Sequence, residues 1–509
     1  MSIGNTNAVG RVPAAQLREA VQREINQGDT QTALTIVQQH WDRYSSSEPA
    51  HLLAAMRALP GEVFLDDAAF ILAAEYLQHL IDGEDPDRFV TDPTIVNQAL
   101  RSGSLQQQLA VLTSTSATAR TSGDFRRAVD TATEARRRLT NAPSAEVAAI
   151  RMDLPHLALQ WGSSLEIADE VGLDVQFEYE EAYRLGMASK QPQIARRSAG
   201  QLAWHHSRCG WLTTAEQWLQ RAWTIGTPDP RYEAVSHLAA ALIHLDRREV
   251  LKSSVELARM SAYPIGEYWS AALWVRSWHA STTAERTLLE AEIAAELDRR
   301  PAALSSGGLH RFALRAARLR LGYPIDNMIP GRPGEHALAA SFEYRRGNFR
   351  DATEVAKAAT HFEAPPRPRA VALTITAAAA LGLRRPAVAA HQFGIARVLI
   401  DQERLYSAYD HITPEHFQEL TQGLAPEGQL RVGRSAIVGL PPIVSSLSKR
   451  EREILSQLPT GKTIAQIADE LFVSTNTVKG ALRRLYRKLN VTSRAAAADI
   501  AEHTGLSND

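Results

Sequence analysis

Cysteine is nearly absent. Cys209 stands alone in 509 residues, which excludes an internal disulfide framework and suits a reducing compartment. Long apolar runs are missing too: no stretch reaches the roughly 18 uninterrupted apolar residues of a membrane span, and the nearest, Ala370 to Leu383, is broken by Thr374 and Thr376. The opening MSIGNTNAVGRVPAAQLREA lacks the apolar segment of a secretory signal. These absences predict a cytoplasmic protein with no membrane partner. Net charge is lacking as well, since 56 Lys and Arg face 57 Asp and Glu. Affinity for a polyanion must therefore come from a local concentration of cations.

Catalytic patterns are missing. The sequence has no zinc-protease motif, no nucleophile elbow and no paired carboxylates with an identifiable pocket, so neither enzymatic activity nor a cofactor is expected. Gly461-Lys462-Thr463 imitates the end of a phosphate-binding loop, but Ser456 occupies the position of the first glycine and no strand pattern precedes it. His205 and Cys209 have the i, i+4 spacing of a metal pair, yet no further ligands accompany them, and no metal is expected.

One absence is local. Neither Asp nor Glu occurs from Leu471 to Ala498, and three short amphipathic segments surround that acid-free stretch. Ser448 with Glu451 has capping-box spacing, and Ile454, Leu455 and Leu458 follow on one face, predicting a first helix from about Lys449 to Leu458. Pro459 and Gly461 end it. Thr463 with Gln466 repeats the capping box before Ile464, Ile467, Ala468 and Leu471, a scaffold helix. After a tight turn, Ser474 caps a third helix whose Val478, Leu482, Leu485 and Leu489 face the first two. Its other face holds Thr475, Asn476, Lys479, Gly480, Arg483 and Arg487.

That division suits DNA, because helix N-termini and cations hold phosphates while a few side chains of the second motif helix reach base edges. Lys479, Gly480 and Arg483 are placed nearest the bases. Thr463, Thr475 and Thr477 sit at helix starts, where hydroxyls and backbone N–H groups can hold phosphate oxygens.

Leu447-Ser448, Arg450-Glu451, Glu453-Ile454-Leu455, Gly461-Lys462-Thr463, Ile467-Ala468, Leu471, Ser474, Thr477-Val478-Lys479, Lys488-Leu489, Val491 and Arg494 resemble the LuxR-type helix-turn-helix domain. The resemblance covers about an eighth of the chain. It implies a four-helix domain that docks on double-stranded DNA as a homodimer over two half-sites, with a last helix, here about Ser493 to His503, at the dimer contact. One position departs: the family usually has His where this chain has Ala481, preceded by Gly480. Either Gly480 permits close approach to the groove or the helix is less rigid than its relatives.

From about Ala14 to Leu420 the chain is rich in Ala, Leu and Arg with helical periodicity. A Gly-x4-Ala spacing recurs at Gly28 and Ala33, Gly123 and Ala128, Gly210 and Ala215, Gly347 and Ala352, and Gly382 and Ala387; further alanines follow at Ala135, Ala222 and Ala359. Asp246 with Leu251 and Ala258 reads as a variant. Glycine ends one helix, and small residues in the next let paired helices approach. The pattern resembles the tetratricopeptide repeat. Breaks fall at Asp82 to Thr94, Ser305 to Gly308, Gly322 to Gly334 and His361 to Pro368. A longer Gly- and Pro-rich break reads as a tether.

The fold expected is all-α: a tetratricopeptide-like helical-repeat superhelix over 1–420, a linker over 421–446 and a four-helix helix-turn-helix domain over 447–509. This layout resembles MalT-like regulators without their nucleotide-binding domain, which implies a transcriptional regulator whose arm receives a small-molecule or protein effector. Seven of nine tryptophans lie between Trp204 and Trp278; core packing explains them first, and an effector site would be sought there. Glu178, Glu180 and Glu181 read as a solvated helix start. The competing expectation is an interaction scaffold whose C-terminal helices bind protein.

Overall fold

The computed structural model describes residues 12–45, 48–60, scattered positions between 63 and 81, then 93–168, 173–228, 233–300, 307–323, 325, 330–361, 363–422, 449–458, 460–471, 473–489, 494, 497 and 498. Every regular element among the described residues is helical. Ala14–Asn26, Thr30–Tyr44 and Pro49–Met56 share a core built on Leu17, Val21, Ile36, Val37, Leu52 and Met56.

Beyond Pro93 the chain folds into helical hairpins. Leu105–Thr121 packs on Phe125–Asn141, Leu154–Ile167 on Leu173–Ala188, Pro192–Cys209 on Leu212–Thr224, and Glu233–Asp246 on Val250–Met260. Trp269–Ser277 packs on Gly308–Leu321, with Thr283–Arg299 between them in sequence. Pro333–Arg345 with Phe349–Ala356 and Pro366–Gly382 with Pro386–Glu403 follow. Local chemistry sets the starts. Ser104 with Gln107 and Thr282 with Glu285 form capping boxes, and Pro192, Pro333, Pro366, Pro386 and Pro414 each open a helix, where a missing N–H costs nothing. Pro93, Gly308, Pro333 and Pro366, each inside or at the end of a break expected from the sequence, are the first residues of helices.

The glycine spacing has a sharper form in the structure. A residue in the left-handed region is followed five positions on by a small, buried residue: Gly28 and Ala33, Gly123 and Ala128, Lys190 and Ala195, Gly210 and Ala215, Arg248 and Ser253, Gly347 and Ala352, Arg384 and Ala389. Two expected copies are out of register. Gly382 is helical and Ala387 exposed; Arg384 makes the turn and Ala389 is buried. Likewise Leu251 is 84% exposed, so Arg248 and Ser253 replace Asp246 and Leu251. Gly382 serves packing instead, because a Cβ there would meet the Phe349 ring.

Sequence-distant hairpins are joined through one core that runs from Phe125 to Ile412. At Gly210 a Cβ would lie 2.5 Å from the backbone nitrogen of Arg367, so glycine lets the start of Pro366–Gly382 touch the end of Pro192–Cys209. There Arg367 donates from Nη2 to the Ser207 carbonyl at 2.7 Å and from Nε to the Arg208 carbonyl at 3.1 Å, both in the last turn of that helix, where the Ser207 carbonyl also accepts the Gly210 N–H at 3.1 Å. Its Nη1 donates to Asp246 Oδ1 at 2.8 Å, and Ser407 donates to the same oxygen. Arg120 pairs with Glu267 (Nη2–Oε1 2.8 Å), and Arg248 with Asp410 (Nη1–Oδ1 2.6 Å). Glu178 is buried against Arg136 rather than solvated (Nε–Oε1 2.7 Å).

Four of the clustered tryptophans, Trp204, Trp218, Trp274 and Trp278, are buried, whereas Trp211 and Trp223 are 36% and 42% exposed. Trp211 and Trp218, seven residues apart, face different neighbours. Trp211 lies beside His206 and Trp218 meets Tyr183 edge-on at 5.1 Å. His205 Nε2 is 3.9 Å from Cys209 Sγ and its Nδ1 is 3.6 Å from Glu166, an internal polar contact. Among the described residues no helix is long and apolar enough to cross a membrane, and no group of three or more His, Cys, Asp or Glu could hold a metal ion.

Candidate nucleic-acid interface

Three helices, Lys449–Ser456, Ile464–Glu470 and Thr475–Leu489, build the C-terminal unit. Ile454, Leu455, Leu458, Ile467, Ala468, Val478, Leu482 and Leu485 form its core, as their periodicity predicts. Ala481 joins them at 1% exposure, so the position at which the chain departs from the resembled family is an interior one.

Capping fixes the geometry between the second and third helices. Thr463 Oγ1 accepts the Gln466 N–H at 3.3 Å while Gln466 Oε1 accepts the Thr463 N–H at 2.8 Å, the reciprocal box read from the sequence. Ser474 Oγ accepts the Thr477 N–H at 3.1 Å and starts the third helix. Arg450 donates to the Leu471 carbonyl at 2.5 Å, tying the first helix to the end of the second. Arg494 donates to the Lys462 carbonyl at 2.5 Å and closes the turn before Thr463 from the other side. The box expected at Ser448 and most of the helix expected from Ser493 to His503 lie outside the described residues.

These constraints leave one face of Thr475–Leu489 open. Thr475, Asn476, Lys479 and Arg483 are exposed, Gly480 is half-buried, and the 475, 479, 483 spacing places three of them along one stripe. Thr477 is exposed too, with its N–H engaged by Ser474. Thr463 is exposed at the start of the second helix, its hydroxyl held by the capping box. Arg487 lies in the last turn of the third helix, with its side chain outside the described residues. A Cβ at Gly480 would meet only Arg484 Nη1, at 3.8 Å, so internal crowding does not demand glycine there.

The cations differ in how they are committed. Lys462 is bound within the unit, donating to Glu470 Oε2 at 2.8 Å and Gln457 Oε1 at 2.9 Å, so the tripeptide resembling a phosphate loop is structural. Arg484 lies 3.9 Å from Glu451, which is buried. No carboxylate shares the stripe of Lys479 and Arg483, because the sequence around them has none. A surface of this kind attracts anions and presents donors that can read base edges.

Residues 445–501 match the model of the family described as bacterial regulatory proteins, luxR family. A probable transcriptional regulatory protein NarL of Mycobacterium tuberculosis is 50% identical over 56 residues, which are 11% of this chain and 26% of that protein. A nitrate/nitrite response regulator protein homolog of Haemophilus influenzae is 52% identical over 54 residues, 11% and 26% of the two chains. The transcriptional regulatory protein LiaR of Bacillus subtilis is 43% identical over 63 residues, 12% and 30%. The chain thus spans little more than a quarter of the length of these relatives. No solved structure matches it. Its C-terminal unit is a LuxR-family helix-turn-helix domain, and the relatives that share it are named as transcriptional regulators.

Proposed function

We propose that this protein is a DNA-binding transcriptional regulator in which a helical-repeat region, residues 1–420, receives a ligand or protein signal and passes it through 421–446 to the helix-turn-helix domain, 447–509. The observation that carries the reading is the exposed, acid-free stripe of Thr475, Asn476, Lys479 and Arg483 on the third helix of a LuxR-family domain. Lys479, Gly480 and Arg483 face the bases, with Asn476 and Arg487 flanking. Thr463, Thr475 and Thr477 hold phosphates. The domain docks as a homodimer on two half-sites. The hairpin region is tetratricopeptide-like: its left-handed turns Gly210 and Arg248 are 38 residues apart and Gly347 and Arg384 are 37, near the roughly 34-residue period of that repeat.

Selection of bound genomic fragments by the full chain tests this directly. We expect a recurrent two-half-site motif and an affinity that falls steeply with salt, because cations on the stripe release counterions from phosphates. Arg483→Ala should relax preference at one base position by about 1–3 kcal/mol. A chain that selects no motif and keeps protein partners after nuclease treatment is an interaction scaffold instead.

A further inference from the structure

Where sequence-distant hairpins meet, the repeat region has a concave pocket, part of it open to solvent. Trp274 and Phe312 meet edge-on in its lining at 5.5 Å, and Trp278 adds a third ring from the end of the same helix as Trp274. Leu338 and Val371 line it from Pro333–Arg345 and Pro366–Gly382.

The charged side chains on this lining are all cationic: Arg208, Arg332 and Arg367. Arg367 is matched by Asp246, and Arg332 donates from Nη1 to the Ala168 carbonyl at 2.7 Å, so both are fixed in place by the fold. No carboxylate is among the lining residues. Behind the wall, the Arg320 guanidinium carbon lies 3.9 Å from the centre of the Trp278 ring. Burial foremost, with Arg320, Arg345 and Arg367 beside it, pushes the His411 imidazole down to about 3, so this side chain of the wall is neutral. An apolar body would replace water against the rings, and a carboxylate would meet guanidinium donors already held in position.

We propose that this cavity binds a small organic anion, a carboxylate on an aromatic or alicyclic body, with the body against Trp274, Trp278 and Phe312 and the acid group between Arg208 and Arg332. The inference rests on the reading of the repeat region as the receiving part and names the chemistry it receives. The site is also placed to report occupancy. Its lining joins Arg208, at the end of one early helix, to His411, which shares a 2.9 Å hydrogen bond with Ser341. Pro414–Thr421 follows immediately and is held by the hydrogen bond between Tyr344 and His416 at 2.7 Å. An occupant therefore touches Leu405, Ser407, Ala408 and His411, the stretch that leads into Pro414–Thr421, and its binding energy can favour one arrangement of that stretch over another.

Two dyes with one aromatic skeleton test the charge requirement on the full chain. Fluorescence titration should show one saturable site for 1-anilinonaphthalene-8-sulfonate, with neutral N-phenyl-1-naphthylamine at least about tenfold weaker. Sodium benzoate should compete. Arg332→Met should weaken the sulfonate dye about tenfold and leave the neutral dye unchanged. Ala316→Leu, which fills the cavity, should abolish binding of both dyes while the thermal melt stays cooperative. Equal affinity for the two dyes overturns the proposal, as does sulfonate binding that survives in a folded Ala316→Leu protein. Should Ala316→Leu fail to fold, the dye pair and Arg332→Met decide. Failure here leaves operator selection intact, whereas failure of operator selection removes the regulator reading and leaves the dye result standing.

Discussion

At Gly210 two demands coincide. Its φ of 98° is a conformation that an L side chain reaches at a cost of about 1–2 kcal/mol, and its missing Cβ leaves room for a backbone atom of Arg367 that no rotamer change can move. Gly347 has the first demand only, since nothing lies within 4 Å of a Cβ there. Urea unfolding should therefore separate them: Gly347→Ala should cost about 1 kcal/mol and Gly210→Ala about 3 kcal/mol or more. Equal losses would mean that the contact with Arg367 carries no weight. The left-handed turn was legible at Gly210 because its cause is local. The close approach was not, because Arg367 comes from a distant hairpin and nothing in the Pro-rich run around it announces a partner.

Single helices show the same limit in another form. Thr463 with Gln466 and Ser474 with Thr477 could be read from the sequence because each cap closes within three residues. The repeat register was misread where Asp246 and Gly382 stood in for turn positions: Arg248 and Arg384 adopt the turn conformation themselves, and Gly382 answers to Phe349 instead. On the recognition helix, the space around Gly480 decides between the two explanations its presence invited. A methyl group would make one ordinary contact, with Arg484, so Gly480→Ala should stabilise the C-terminal domain by about 0.5–1 kcal/mol in a thermal melt. DNA affinity measured on the same protein then reports the other role. If it falls while stability rises, glycine is there for the groove; if stability does not rise, the account of this helix is wrong.

Across the molecule, buried histidines make the repeat region sensitive to acid. Burial, foremost, holds His206 and His310 down to about 4, and burial with neighbouring arginines holds His411 to about 3. A histidine depressed in the folded state stays neutral there while the unfolded chain takes up a proton below about 6.5. The share of stability that His206, His310 and His411 contribute is thus complete above that pH and declines as pH falls toward 4, opposite to His205, whose imidazole, despite its burial, is raised to about 9 beside Cys209 and Glu166. Urea melts at pH 7.5 and pH 5 should differ by roughly 2 kcal/mol per histidine, and His310→Gln should remove about one such share. A flat profile across that range would contradict the burial of these rings. The clustered tryptophans pointed toward the cavity from sequence alone, and two of them line it. Its arginines were illegible, because Arg208, Arg332 and Arg367 belong to three separate hairpins and vanish into an arginine-rich background.

The pins at Arg120–Glu267, Arg367–Asp246 and Arg248–Asp410 have a consequence for how this architecture can change over generations. A stack with open ends can be lengthened by copying one unit, since each unit answers only to its neighbours. Here a duplicated hairpin anywhere between Arg120 and Asp410 would pull at least one pair of far-apart partners out of reach and strand a buried charge. Growth by duplication, the ordinary freedom of such stacks, is closed to this stretch of chain, and its variation is confined to point changes and to what lies outside the pins.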